Sequence, residues 1–212
     1  MTVFRKRYLI PIFVLLLLLL RFVGEIGIDR QPSDRFRVAK VIDGDTVELA
    51  GGERLRLLGI DAPESDHPFH DAAKIFLDSL ASNRAFEIKF SKKRRDGYGR
   101  LLGYIYIDSV FINAEVVRNG LAYVYLMKDN LTDNGMIETL INAQNEAIDR
   151  KLGLHAIKHH AEPYYPARNN SLRFHRPSCT SVRNLLPGEY RKFNSRSEAL
   201  RAGYSPCRNC RP

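Results

Sequence analysis

Cysteine is scarce in this 212-residue chain: there are three, all within the last 34 residues. An odd count so placed argues against a purely intrachain disulfide framework. No internal repeat is apparent. Low-complexity sequence is confined to one leucine run near the start. Acidic residues are missing from residues 1–21, which carry four Lys and Arg. A uniformly basic surface is missing as well. The net charge of +9 sits at the two ends: residues 167–212 hold ten Lys and Arg against two acids, whereas residues 22–166 hold 19 basic and 22 acidic residues. Attraction for a polyanion must therefore come from local arginines and from the tail. That tail has few large apolar side chains, so it needs a staple to fold.

The length suits one good core plus a small extra module. At the N-terminus, Arg5-Lys6-Arg7 precedes Leu9–Leu20, an apolar run interrupted only by Pro11 and ended by Arg21. A basic stretch followed by such a run reads as export signal. The run is shorter than the about 20 residues that cross a bilayer as a helix, although Phe22, Val23 and Ile26 could extend it with Arg21 snorkelling. Residues 1–23 are thus a signal peptide or an uncleaved membrane anchor, the alternative being a buried soluble helix. Either export reading places the rest outside the cytoplasm. Residues 24–35 read as a polar linker.

Between residues 36 and 158 the pattern alternates between strands and helices. Strands are expected at Phe36–Ile42, Asp45–Leu49, Glu53–Ile60, Ala85–Phe90 and Leu101–Ile107, and helices at Asp71–Ser82, Phe111–Asn119 and Asn134–Lys151. In the last helix Ile137, Leu140, Ile141, Gln144 and Ile148 form the expected inner stripe. Residues 91–99, with Lys92-Lys93-Arg94-Arg95, read as a charged turn that is either a solvated tip or a phosphate-backbone contact. Five strands and three helices in this order suit a mainly β fold with helical cover, an OB-fold five-stranded Greek-key barrel. Such barrels stack bases on aromatics, for which Tyr98, Tyr123 and Tyr125 are candidates.

The chain is organised around residues 41–64. Asp43-Gly44 is a tight-turn dipeptide. Asp45 shares a strand face with Val47 and Leu49, where a carboxylate is costly unless a charge meets it. Arg56 has the opposite parity from Leu55 and Leu57. Asp61 and Glu64 follow the second strand, which Pro63 stops. Carboxylates suit a hard cation such as Ca²⁺, and arginine's planar fork suits a phosphodiester. One site offering both is equipped for metal-assisted phosphoryl chemistry; three solvated carboxylates on a surface hairpin are the plain alternative.

The order and spacing of Asp43-Gly44-Asp45-Thr46-Val47, Arg56-Leu57-Leu58-Gly59-Ile60-Asp61-Ala62-Pro63-Glu64 and Asp96-Gly97-Tyr98-Gly99-Arg100 resemble the staphylococcal nuclease (thermonuclease) family over roughly residues 36–155. The resemblance implies the same OB fold. It implies that Asp45, Asp61 and the Ala62 carbonyl hold Ca²⁺, and that Glu64 acts on the attacking water as general base or by positioning it. Arg56 and Arg100 would hold the phosphate and its transition state. Tyr98 would stand beside the nucleotide with Tyr123 or Tyr125 behind it. Gly97 stands where some relatives carry a lysine, and Ala62 where some carry a hydroxyl. The implied activity is Ca²⁺-dependent cleavage of DNA, with RNA left open, to 3′-phosphate and 5′-hydroxyl ends by a monomer. A catalytically silent nucleic-acid-binding or adaptor module is the rival reading.

Residues 159–170 read as a linker, and residues 171–212 as a small metal-binding module. His175-x₃-Cys179 and Cys207-x-x-Cys210 form a closed four-ligand N/S set of the kind structural Zn²⁺ prefers; a Cys207–Cys210 disulfide or three free thiols are the alternatives. The pattern, with Ser195-Arg196-Ser197-Glu198-Ala199 before Gly203-Tyr204, resembles the metal-binding domain of the Ada DNA-repair protein, with His175 in place of the usual first cysteine. Zinc is expected to bind independently of the Ca²⁺ site.

Overall fold

Short alternating strands curl into a closed barrel in the computed structural model, which describes residues 35–127 and 134–212. The expected signal or anchor, residues 1–23, lies outside the described residues. Among the described residues no helix is long and apolar enough to cross a membrane.

The first half contains β1 (Phe36–Asp43), β2 (Thr46–Leu49), β3 (Arg54–Leu57), β4 (Gly59–Asp61), α1 (His70–Ala81), β5 (Ala85–Arg95) and β6 (Leu101–Ile107). β7 (Val110–Phe111), α2 (Ile112–Arg118), β8 (Tyr123–Tyr125) and α3 (Asn134–Asp149) follow. β1 pairs antiparallel with β2 through Val41 and Val47, and β2 with β3 through Val47 and Leu55. β1 also pairs with β5 through Phe36 and Phe86, and β5 with β6 through Ile88 and Ile105. The ring closes where β3 runs parallel to β6, with Leu55 opposite Leu101. These five strands form the barrel expected from the sequence. Val47, Leu55, Leu57 and Ile105 fill it and are fully buried. The period-2 alternation that buries Leu55 and Leu57 sends Arg56 to the other side.

Several boundaries differ from the sequence pattern. The strand expected over Glu53–Ile60 divides at Leu58, whose N–H bonds to Gly103 O at 2.9 Å. Gly59, at φ 76°, then turns β4 away to pair with β8. Only glycine enters that backbone region without strain. β5 runs on to Arg95 through a register shift after Phe90. The basic cluster Lys92–Arg95 is thus an exposed strand end instead of a turn. Tyr104 and Tyr106 do face away from Ile105 and Ile107, yet Tyr104 is buried, packed edge-on to Phe111 with ring centroids 5.7 Å apart.

α3 presents Met136, Leu140, Ala143, Gln144 and Ala147 to the core, while Ile137 and Ile141 are only half-buried. The expected stripe is rotated because the tail covers the helix's flank: Ile148 packs against the cluster of Tyr165, Phe174, Phe193 and Leu200. That tail is built from β9 (Tyr165–Arg168), β10 (Arg173–Phe174), β11 (Tyr190–Phe193), α4 (Arg196–Arg201) and β12 (Ser205–Pro206). β9 falls inside the expected linker; it is ordered there because it pairs antiparallel with β11, Tyr165 opposite Phe193. Ser195 caps α4, its hydroxyl accepting from Glu198 N–H, as serine does at this position. Barrel and tail belong to one compact unit, residues 34–212.

Gln144 joins the two. It is fully buried; its Oε1 accepts from Val124 N–H at 2.8 Å and its Nε2 donates to Leu200 O at 2.7 Å. Gln144→Ala should leave both backbone groups unpaired and cost about 2–4 kcal/mol, since each orphaned buried group costs about 1–3 kcal/mol. Thermal unfolding should show a clearly lowered midpoint; an unchanged one would mean that the bridge contributes nothing.

Candidate active site and metal centre

Asp45 occupies the turn between β1 and β2 and is 6% exposed. Gly44 brings it there: a Cβ on Gly44 would lie 2.5 Å from Ala73 Cβ on α1 and 2.8 Å from Ala62 Cβ. Nothing larger than glycine fits. The Asp45 carboxylate accepts from Thr46 Oγ1 at 2.9 Å and from Ala62 N–H at 2.7 Å. Arg56 Nη2 lies 2.9 Å from Asp45 Oδ2 and 3.2 Å from Asp61 Oδ1, so one guanidinium joins two carboxylates. Burial pushes the Asp45 carboxyl up to about 7. Arg56 and the Ala62 N–H oppose that rise, while the neighbouring Asp43 and Asp61 add to it. Asp61 ends β4, and Glu64 stands one residue beyond Pro63 on an exposed loop.

Asp96 builds the opposite wall. Its carboxylate accepts from the N–H groups of Tyr98 and Arg100 at 2.9 and 3.0 Å and from Arg100 Nε at 2.8 Å. Burial works against ionisation here, but the Arg100 guanidinium and the two N–H groups hold the carboxyl below its usual range. Arg100 lies 5.5 Å from the Tyr98 ring, and Tyr98 is 88% exposed. Both walls enclose a cleft of about 410 Å³ lined by Asp45, Arg56, Asp61, Ala62, Glu64, Tyr98, Arg100 and Tyr125. Tyr125 stacks under Arg173 at 3.5 Å. Tyr123 does not line this cleft. Its hydroxyl accepts from Arg196 at 2.7 Å, and it faces a neighbouring hollow of about 330 Å³ that His159 also lines.

The model of the family described as staphylococcal nuclease homologue matches residues 54–156. An Escherichia coli protein described as an uncharacterized endonuclease is 34% identical over 122 residues, covering 56% of this chain and 74% of the relative. A Shigella flexneri micrococcal nuclease is 32% identical over 142 residues, covering 61% and 78%. A Staphylococcus intermedius thermonuclease is 29% identical over 131 residues, covering 58% and 76%. The chain belongs to the staphylococcal nuclease family. The cleft residues from Arg56 to Tyr125 lie inside the matched span, and Asp45 lies just before it.

Two features of this staphylococcal nuclease homologue fall beyond the match. The first is Arg208, which no sequence pattern singles out. Its guanidinium enters the cleft, pairs with Asp61, and places Nη1 2.9 Å from Glu64 Oε1. Hydrogen bonding to Asp61 holds it still more firmly protonated than an ordinary arginine. Its only trace in the sequence is its place between Cys207 and Cys210.

The second is the tail cluster. The ligand atoms of His175, Cys179, Cys207 and Cys210 all lie within 4.8 Å of one another. Among the described residues, His175 Nδ1 is buried without a hydrogen-bond partner. Burial, with Arg168 and Arg173 nearby, lowers the imidazole's pKa and keeps it neutral, the form that ligates a metal. Burial pushes Cys210 up to about 12 although Arg176 N–H points at its sulfur at 3.4 Å. The orphaned nitrogen and three converging thiols fit a soft divalent cation. His159 and His160 take no part in this cluster.

Proposed function

We propose that this chain is an extracytoplasmic, monomeric nuclease of the thermonuclease type, cutting DNA phosphodiester bonds, with RNA left open, to 3′-phosphate and 5′-hydroxyl ends with Ca²⁺. The observation that carries the reading is the convergence of Asp45, Arg56, Asp61, Glu64 and Arg100 on one cleft. Similarity to an endonuclease, a micrococcal nuclease and a thermonuclease supports nucleolysis. Export rests on the basic and apolar N-terminal segment, whether it is cleaved or remains as a membrane anchor.

The donor set fits a hard cation. Asp45 is nearly excluded from water, Asp61 is its neighbour through Arg56, and Ala62 lines the same wall. Asp45, Asp61 and the Ala62 carbonyl would hold Ca²⁺, which supplies charge for the developing phosphorane and orders water near it. Glu64 takes the proton of the attacking water or positions that water. Arg56 and Arg100 donate to the non-bridging oxygens, where negative charge grows. Asp96 keeps Arg100 aimed across the cleft. Tyr98, exposed at the rim, offers a face to a base, and Tyr125 backs it. His175, Cys179, Cys207 and Cys210 would hold a structural Zn²⁺.

Activity should require Ca²⁺ and fail with Mg²⁺ alone, because two carboxylates and a carbonyl suit a larger, flexible coordination sphere. Digestion of plasmid DNA in Ca²⁺, Mg²⁺ and EGTA reads this; equal turnover in Mg²⁺ refutes the assignment. DNA bound but never cut under any of these conditions would favour the silent module.

Arg56→Lys and Arg100→Lys should each lower kcat by about 10² or more, since lysine keeps the charge and loses the bidentate fork. Single-turnover rates on a defined oligonucleotide decide it, and near-normal rates would move the phosphate site elsewhere.

Metal analysis of the full-length protein should give one Zn²⁺ per chain, with the three thiols protected until denaturation. No zinc and three freely reactive thiols would reduce the cluster to free cysteines.

A further inference from the structure

The loop that carries Asp61 and Glu64 is gripped from outside the barrel. Arg208 pairs with Asp61 and Glu64, and Arg211 Nη2 lies 3.4 Å from Asp66 Oδ2. Both arginines stand on the knuckle formed by Cys207 and Cys210. That knuckle is itself fixed: Cys207 N–H bonds to Phe174 O at 3.0 Å, and Arg211 N–H to Cys207 O at 2.9 Å. Two arginines at i and i+3 thus meet three acids of one loop.

The three acids differ in how much they need this grip. Asp61 is 13% exposed and already has Arg56. Glu64 is 60% exposed at its side chain. Among the described residues, Arg208 is the one cation paired with Glu64. A glutamate so exposed samples many rotamers unless a partner selects one. The fork of Arg208 selects it: one side is anchored on both oxygens of Asp61, and the other meets Glu64.

We infer that Arg208 is a positioning residue of the nuclease, acting through Glu64, and that the C-terminal knuckle clamps the catalytic loop. This rests on the proposed role of Glu64. The guanidinium holds the Glu64 carboxylate beside Asp61, from where Glu64 acts on the attacking water. Lysine reaches one carboxylate at a time, so Arg208→Lys restores charge without the bridge. The knuckle sets the direction of Arg208, which makes the Cys/His cluster part of the nuclease and not an independent appendage.

The test is a double-mutant cycle on the full-length protein with Ca²⁺, measuring kcat and KM on a single-stranded oligonucleotide, with thermal unfolding as a check on the fold. Arg208→Ala should lower kcat by about tenfold or more, since a misplaced reacting group costs that much readily. KM should stay within about twofold, and Arg208→Lys should recover part of the loss. In a Glu64→Gln background Arg208→Ala should cost nothing further. Multiplying losses in the double variant, or a raised KM, would overturn the inference in favour of direct phosphate contact. So would a faster Arg208→Ala enzyme, which would make the arginine an inhibitory plug. If Arg208→Ala fails to fold, the cycle with Arg208→Lys gives the same decision. An inactive parent, or Glu64→Gln as fast as the parent, would remove the underlying reading of Glu64 as well, whereas an active parent indifferent to Arg208 removes this inference alone.

Discussion

The site depends on one guanidinium shared by two carboxylates. Asp45 is buried against α1 by the close approach at Gly44, where an uncompensated charge is expensive. Arg56 answers that charge and ties it to Asp61. Each partner comes from a different strand or turn: Asp45 from the β1–β2 turn, Arg56 from β3, Asp61 from the end of β4. Their meeting requires β2 and β3 to be in register, with Thr46 opposite Arg56. It also requires the chain to break direction at Gly59. A slip of one residue in β3 would send Arg56 into the barrel and Leu55 to the cleft. The buried ion pair and the barrel's hydrophobic alternation therefore demand the same register. A buried pair of this kind is weak evidence of net stability, but here it demands one register of β2 and β3.

Much of this was legible in the sequence because it is local. Alternation at Leu55, Arg56 and Leu57, the Asp43-Gly44 turn, and the break at Pro63 are all short-range signals. They place the barrel strands and the acids at strand ends. The Asp96–Arg100 turn is equally local, since Asp96 bonds within four residues of itself. What the sequence did not disclose depends on partners far along the chain. β9 forms only because β11 lies beside it. The buried face of α3 is turned because Leu200 and Ile148's neighbours cover its flank. Tyr123 and Tyr125 share one strand face and read alike, yet Arg196 draws the first toward the tail while the second backs the cleft. Arg208 is one of ten basic residues in its segment, and nothing local separates it from the others.

The His175, Cys179, Cys207 and Cys210 cluster was readable from spacing alone, because soft ligands at these intervals have few other uses. Its relation to the cleft was not. Hard and soft ligand sets look independent in the sequence, and their chemistry does differ. Geometry couples them: Arg208 stands between Cys207 and Cys210 and points at the carboxylates of Asp61 and Glu64.

The parallel pairing of β3 with β6 bears on how the chain acquires its structure. Leu55 must wait for Leu101, and Ile60 for Val124. Contacts this far apart in sequence slow the search for the native state, because the intervening loop must be closed before any contact rewards it. Asp61 and Arg208 are 147 residues apart. During ribosomal synthesis, which runs from the N-terminus, the barrel's acids emerge well before the arginine that grips them. A nascent chain therefore passes through a stage in which β1 to β6 can close while the loop from Asp61 to Asp66 still lacks its arginine partners.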